Sequence, residues 1–432
     1  MLIQRATLLD GRSVDIRVTD RIGDVGASLA PQPQESVFDA AGGTVIPGLH
    51  DHHVHLRAAA AALDSVQVDQ AHAHDRAGLA AILAAADVGS DGWVRAVGYH
   101  ESVAGHLDRH VLDELAPHVP VRIQHRSGVL WMLNSAGLAE VGLPAHPDGR
   151  LRSYDGWSDS VARRDVSLVS LSARLTSYGV TGVTDATPDL DADSIVNLTQ
   201  AHHHGELHQR VHWLAPGKRI LHDDNLDLDE LTDWIATRHR DGPVAVHCVT
   251  AGQLVVTLAA LDVAGVHPGD RIEHAAVVPA DTLADLARLD PVVVTQPNFV
   301  AERGDQYLLD VPAADQQGLW RLASLLSAGV RVALSTDLPF GGADPWAAMR
   351  AAVRRTTGRG AVLNGNECVT PAQALAMFCG HADRPGVART IAPGQPGELC
   401  VLAGSPDEVL DTLAADQVVA TVIGGHLHEV RS

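Results

Sequence analysis

Two imidazoles spaced two residues apart at the end of a short apolar run are the part of this sequence best equipped for chemistry. The run from Val45 to His55 reads VIPGLHDHHVH. Side chains of a strand alternate between faces, so His53 and His55 point the same way, and imidazole is the commonest protein ligand for a metal. Taken alone, such an HxH pair reads equally well as a cluster of surface histidines. Further ligand types follow other apolar runs, however: His247 ends VAVH, His274 ends RIEH, and Asp337 follows VALST. Each of these singly is an ordinary core or surface residue. Three strands delivering His, His and Asp to one rim, with HxH on a fourth, are hard to obtain from packing needs alone. Together they point to a divalent-metal site.

The segments that must position these residues alternate between strand and helix, the pattern of a parallel sheet with crossover helices. Eight strand candidates fall at residues 45–49, 182–185, 210–214, 219–221, 244–247, 271–274, 292–295 and 332–335. Eight is the number of a (β/α)8 TIM-like barrel, whose active sites lie at the C-terminal ends of its strands. Helix marks occupy the spaces between. Leu322, Leu325 and Leu326 recur at i, i+3 and i+4 with Gly329 as a stop, and Thr370, Pro371 and Gln373 form a capping box that launches a helix through Phe378. Residues 57–170 are too long for one connection. They hold strand candidates of their own at 93–97 and 121–124, with a helix start at 58–62, and read as an insertion forming part of the pocket wall. At the two chain ends, Asp10-Gly11 and Gly424-Gly425 are hairpin signals. The α/β organisation expected is therefore a barrel over residues 46–389 with a small β-sandwich domain built from residues 1–45 and 390–432.

Composition narrows the function classes. The 432 residues include 53 acidic and 32 basic side chains, a net charge of −21, which is the wrong sign for concentrating nucleic acid at the surface. No stretch approaches the ~20 consecutive apolar residues of a membrane span, and the N-terminus lacks a basic start followed by a long apolar run. The four cysteines show no CxxC or framework spacing, so a reducing, cytoplasmic setting is expected, with Cys248 a small core residue. Oligomeric state, a homo-oligomer included, is left open. Of the 32 basic residues only Lys218 is lysine. An amine readily loses its proton and becomes a nucleophile, which a guanidinium does not. No GxSxG elbow, HExxH helix or Walker loop occurs, so serine-hydrolase, zincin and nucleotide-hydrolase readings lose their support.

Pro47, Gly48, Asp51, His53 and His55 stand as PGxxDxHxH, and with RIEH at His274 and the Ser/Thr-Asp element at Asp337 the sequence resembles the amidohydrolase superfamily over nearly its whole length. Within the insertion, Tyr99, His125, Arg126, Gly128, Trp131, Asn134 and Ser135 are similar to the (R/H)xxGxxWxNS pattern of the branch that includes N-substituted formamide deformylase. The resemblance implies one or two divalent metals per chain, usually zinc. His53, His55 and Asp337 would hold the first, and His247 and His274 the second. A carboxylated lysine bridges the two in many members, and Lys218 is the only candidate for it. An ordinary solvated lysine, or a register placing Arg219 there, would fit the spacing as well. The reaction expected is hydrolysis of an amide or related C–N bond in a small-molecule substrate. Metal-bound hydroxide would attack, the cation having lowered the pKa of water toward about 7, and Asp337 would carry the proton to the departing nitrogen. Deaminase members place a glutamate three residues after the fifth-strand histidine; Thr250 stands there, which ranks a one-metal deaminase below hydrolysis. An ester or lactone hydrolase and a non-catalytic barrel scaffold are compatible with the same motifs. Candidate substrate-binding residues are Tyr99, His125, Arg126 and Trp131 in the insertion and Asn298, Arg303 and Tyr307 after the seventh strand. Arg126 or Arg303 would pair with a substrate carboxylate, or is a structural arginine.

Overall fold

Short segments, each holding at least one valine, isoleucine or leucine, form the parallel strands of the larger unit. A computed structural model describes residues 1–430 except 117, 154, 158–160, 162–165 and 189. The parallel strands are β1 (Leu49–Val54), β2 (Val180–Asp185), β3 (Arg210–Trp213), β4 (Lys218–Ile220), β5 (Ala245–Cys248), β6 (Arg271–His274), β7 (Val292–Thr295) and β8 (Val332–Leu334). Strands β1, β2 and β3 make one sheet with β2 in the middle, and β4 to β8 make a second in sequence order. A single parallel bridge from Val54 to Leu338 links β1 to the segment following β8.

The barrel read from the sequence does not close as a hydrogen-bonded cylinder. Among the described residues no ladder joins β3 to β4. Only residues 214–217 separate them, whereas a crossover between adjacent parallel strands takes a dozen residues or more. The apolar run 45–49 is not one strand either. Thr44–Pro47 pairs antiparallel with Leu399–Leu402 in the sheet built from the chain ends, and β1 begins only at Leu49. Gly48 makes the passage between the two sheets, because a Cβ there would lie 2.2 Å from Thr181 Cγ2.

That terminal sheet collects five strands from residues 2–47 and three from residues 399–429; seven follow one another in a single path, and Val37–Asp39 pairs only with Leu2–Thr7. Ile3, Ile16, Val45, Leu399, Val401 and Val422 form its buried cluster. Its hairpins turn where the sequence indicates: Gly11 has φ +82°, and Gly424 and Gly425 have φ +56° and +78°, the two positive values a type I′ turn requires. Thr370 and Gln373 complete the capping box of the helix Pro371–Phe378.

Residues Arg57–Ser167 form a compact unit distinct from the unit of Met1–Leu56 and Leu168–Ser432. A five-stranded sheet organises it, in the order Arg150–Arg152, Leu130–Leu133, Val121–His125, Val94–Tyr99, Val66–Gln67. Among the described residues no helix is long and apolar enough to cross a membrane.

Candidate metal centre

Strand β1 delivers His53 at its end and His55 just beyond, with ring centroids 5.4 Å apart. Asp337 follows β8 by three residues, and its Oδ1 lies 3.4 Å from His55 Nε2 and 3.6 Å from His53 Nε2. Backbone bonds hold the two segments side by side: Asp337 N donates to His53 O at 3.0 Å, and His55 N donates to Leu338 O at 2.8 Å. Asp51 strengthens this join by accepting from both the amide and the hydroxyl of Thr336. The aspartate of the PGxxDxHxH element thus fastens the end of β1 to the end of β8. Burial pushes its pKa up to about 7 against the hydrogen bonds from Thr336.

The ligand atoms of His53, His55 and Asp337 all lie within 4.8 Å of one another. His53 Nδ1 is bonded to Glu273, which leaves Nε2 as the nitrogen directed at Asp337. Asp337 Oδ1 is buried and receives no hydrogen bond. Burial raises the pKa of Asp337, but the imidazoles of His55, His53 and His274 outweigh it and hold the carboxyl far below its ordinary range. Burial also depresses the pKa of His53, so a neutral imidazole meets an ionised carboxylate. Two imidazoles and one anionic oxygen are donors that suit a divalent cation such as zinc.

His247 and His274 stand alongside, 4.5 Å apart between ring centroids, with His274 4.8 Å from His53. Register pairs His247 with Glu273, and His274 with Cys248. Cys248 faces away, its Sγ 3.3 Å from Thr257 Oγ1 on the helix Ala251–Ala264, and burial pushes its thiol up to about 12. Alternation alone would send His274 the same way. Instead φ is +69° at His274 and +46° at Ala275, which takes the chain out of strand geometry and brings the imidazole round to His247 and His53. Asp337 has φ +58° as well. Such values at non-glycine residues cost about 1–3 kcal/mol each and cluster at functional sites. The turned His274 is held through Nδ1 by Gln296 Oε1 at 2.8 Å, and Gln296 Nε2 donates in turn to Ser335 Oγ.

Lys218 opens β4 and is 6% exposed, with Nζ 3.1 Å from His53 Nε2. Arg219, the alternative register, points instead to Glu230 and to the ring of Trp234. Desolvation lowers the Lys218 amine to about 8, against the opposing pull of Glu273 and Asp337. Thr250 caps the helix Ala251–Ala264 and its hydroxyl donates to Asp223. The residues that sequence reasoning left without a role are Arg271, Glu273 and Gln296. Their signal is polar side chains inside or directly after apolar strands, where burial demands a partner.

The substrate-binding candidates divide between the two units. In the insertion Tyr99 is 0% exposed, packs in the apolar cluster with Val94, Val121 and Ile123, and donates its hydroxyl to Gly105 O. It is a core residue and not a pocket residue, since a large ring with its one polar atom satisfied gains most from burial. Trp131 meets Trp157 edge-on at 5.8 Å, with Arg95 over its ring. Asn134 caps the helix Ser135–Glu140, accepting from Val121 N and Gly137 N, and Ser135 bonds Asp113. Arg126 N donates to Tyr99 O, and His125 pairs with Glu101 beside His100. In the larger unit Asn298, 2% exposed, donates to Thr336 O at 3.1 Å. Arg303 lies over Phe299 and donates to Phe340 O, while Phe340 meets the His55 ring at 5.2 Å. Asn298 and Arg303 thus brace the segment that carries Asp337. Tyr307 packs near Trp320.

The chain is similar to known proteins over nearly its whole length. N-substituted formamide deformylase of Arthrobacter pascens is 26% identical over 99% of this chain and 95% of its own. Two solved structures of uncharacterized metal-dependent hydrolases share the fold. The one from Pyrococcus furiosus has a TM-score of 0.71 at 20% identity, covering 94% of this chain and 99% of its own. The one from Pyrococcus horikoshii OT3 has a TM-score of 0.74 at 19% identity, covering 99% of both chains. The profile of the amidohydrolase family matches residues 36–233 and 224–427. A match of that extent makes this chain a member of the amidohydrolase family.

Proposed function

We propose that this protein is a metal-dependent hydrolase that cleaves an amide or related C–N bond in a small-molecule substrate. The observation that carries the reading is the convergence of His53, His55 and Asp337 within 4.8 Å, with His247, His274 and Lys218 packed around them. In this reading the eight parallel strands act as a TIM-like barrel whose C-terminal rim bears the chemistry. His53, His55 and Asp337 would hold one cation, zinc by donor type. His247 and His274 would hold a second, with Lys218 carboxylated between the two. An amine lowered to about 8 is partly neutral near pH 7, the form that attacks carbon dioxide.

A divalent cation held there would supply a Lewis acid for a carbonyl and lower the pKa of water toward about 7. The chain supplies the rest. Asp337, ionised and buried, accepts a proton from the attacking water and returns it to the departing nitrogen, which is too basic to leave as an anion. Glu273 fixes the orientation of His53, and Gln296 that of His274. With Thr250 committed to its helix cap and to Asp223, the position of a deaminase glutamate has no proton carrier. Similarity to N-substituted formamide deformylase supports N-acyl amines, formamides first, as the substrate class.

The test is a panel of N-formyl and N-acetyl amines, cyclic amides, esters and lactones, assayed with the zinc-loaded protein and with Asp337→Asn. The wild type is expected to release the acid and amine from at least one amide. Asp337→Asn is expected to keep measurable zinc and lose about 10²–10⁴-fold in turnover. Full turnover in the variant contradicts the role of Asp337. A zinc-loaded wild type inert to every amide contradicts the proposed reaction.

A further inference from the structure

We propose that Glu302 makes the centre selective for amides that bear a second, protonated amine, whose ammonium group would donate to Oε2 of this carboxylate; the proposal rests on the hydrolytic reading above and names its substrate class. Glu302 lies on the helix Asn298–Asp310, which starts at the C-terminal end of β7, the same end of the strands from which Asp337 emerges. The turn that begins at Asp337 ends against its carboxylate. Phe340 N and Gly341 N donate to Asp337 O at 2.7 and 3.1 Å, and the next amide, Gly342 N, donates to Glu302 Oε1 at 2.9 Å. Asn298 Nδ2 donates to the same oxygen at 3.2 Å and to Thr336 O at 3.1 Å, which ties Glu302 to the residue before Asp337. The packing here has no slack: a Cβ on Gly341 would lie 2.2 Å from Thr336 O and 2.3 Å from Asn298 Nδ2.

Two donors on one oxygen fix the carboxylate and leave its other oxygen open. Among the described residues none bonds Oε2, and the adjacent cation is directed elsewhere, Arg303 lying over Phe299 and donating to Phe340 O. Glu302 is exposed, yet desolvation is the largest influence on its carboxyl and, together with the charge of Asp337, raises its pKa against both hydrogen bonds and Arg303. A glutamate extended into water has no such desolvation. The group is therefore reachable from outside and walled by protein, as on the side of a cleft, close enough to Asp337 to feel its charge. An ammonium supplies both things this oxygen lacks, a donor and a counter-charge, in a charge-assisted bond of the strong kind. A substrate carboxylate, the partner considered for Arg303 from the sequence, would be repelled here.

The experiment compares a short series of mono-N-formyl diamines of increasing chain length with N-formyl alkylamines in which a methyl group replaces the ammonium. Calorimetry gives Kd in full-length, zinc-loaded Asp337→Asn, where turnover does not interfere, with and without Glu302→Gln; kcat and KM are measured in the wild type and in Glu302→Gln. Glutamine keeps Oε1 as acceptor for Gly342 and Asn298 and removes the charge. The quantity read is the ratio of ammonium to neutral compound within each protein, so a general loss of activity or of folded protein cancels. With Glu302 present, the best diamine is expected to be preferred by about 10-fold or more, in Kd and in KM and not in kcat, the size of one hydrogen bond to a charged group. Glu302→Gln is expected to abolish the preference. A ratio near one with Glu302 present, an equal preference in Glu302→Gln, or diamines that do not bind would each overturn the proposal. A binding preference that depends on Glu302, in a wild type inert toward every amide, supports the ammonium site and contradicts the reaction alone.

Discussion

Replacing Glu273 by glutamine keeps the shape of the side chain and removes one negative charge from the interior, where the residue is 0% exposed. In the native chain Oε1 accepts from Arg271 Nε at 2.6 Å, and Oε2 accepts from Arg271 Nη2 at 3.1 Å while also bonding His53 Nδ1. Two separable losses follow. Arg271 is 4% exposed, and its Nη1 already has no hydrogen-bond partner. Without its counter-charge it becomes an uncompensated buried cation, a loss of about 3–5 kcal/mol. His53 loses the carboxylate that fixes its tautomer and raises its basicity. Supports of this kind are worth about 10–100-fold in metal affinity, or about 1.4–2.7 kcal/mol. Urea unfolding of the metal-free chain reads the first loss. Competition with a chromophoric chelator in the folded protein reads the second, as a zinc Kd raised about 10–100-fold. A folded Glu273→Gln protein with a zinc Kd within about twofold of wild type would refute the claim that this carboxylate prepares His53 for ligation.

Native intact-mass measurement in bicarbonate and zinc is expected to find one added carbon dioxide on the wild type, lost on acidification and absent in Lys218→Arg. An unmodified wild type under those conditions ends the carbamate reading. Away from the centre, His208 and His428 stack with centroids 4.2 Å apart, and burial together with neighbouring imidazoles lowers both pKa values. A histidine whose folded pKa lies below its unfolded value of about 6.5 adds stability above that pH, and the contribution fades as pH falls through it. The urea midpoint should therefore drop between about pH 7 and pH 5.5, and drop less when both residues are glutamine; an identical slope in the variant contradicts this.

Much of the centre is legible in the sequence because ligand identity depends on residue type and on position after an apolar run. His53, His55, His247, His274 and Asp337 stand out on those grounds, Lys218 stands out as the one lysine, and the structure brings the six together. Hairpins and caps are legible for a similar reason: Gly424-Gly425 and Thr370 with Gln373 act through bonds only a few residues long. Facing is another matter. Period-two alternation assigns Glu273 to the site and turns His274 from it, and only the left-handed backbone at His274 admits both. Apolar character could not tell that residues 45–47 belong to one sheet and 49–54 to another, since both environments bury the same side chains. Nor could it show Tyr99 closed in a core, or β3 and β4 left without a ladder between them. The chain's own order of residues determined which groups were available to bind a cation. Which of them meet was decided by backbone strain and long-range partners such as Asp51 with Thr336, interactions between positions hundreds of residues apart that no local pattern encodes.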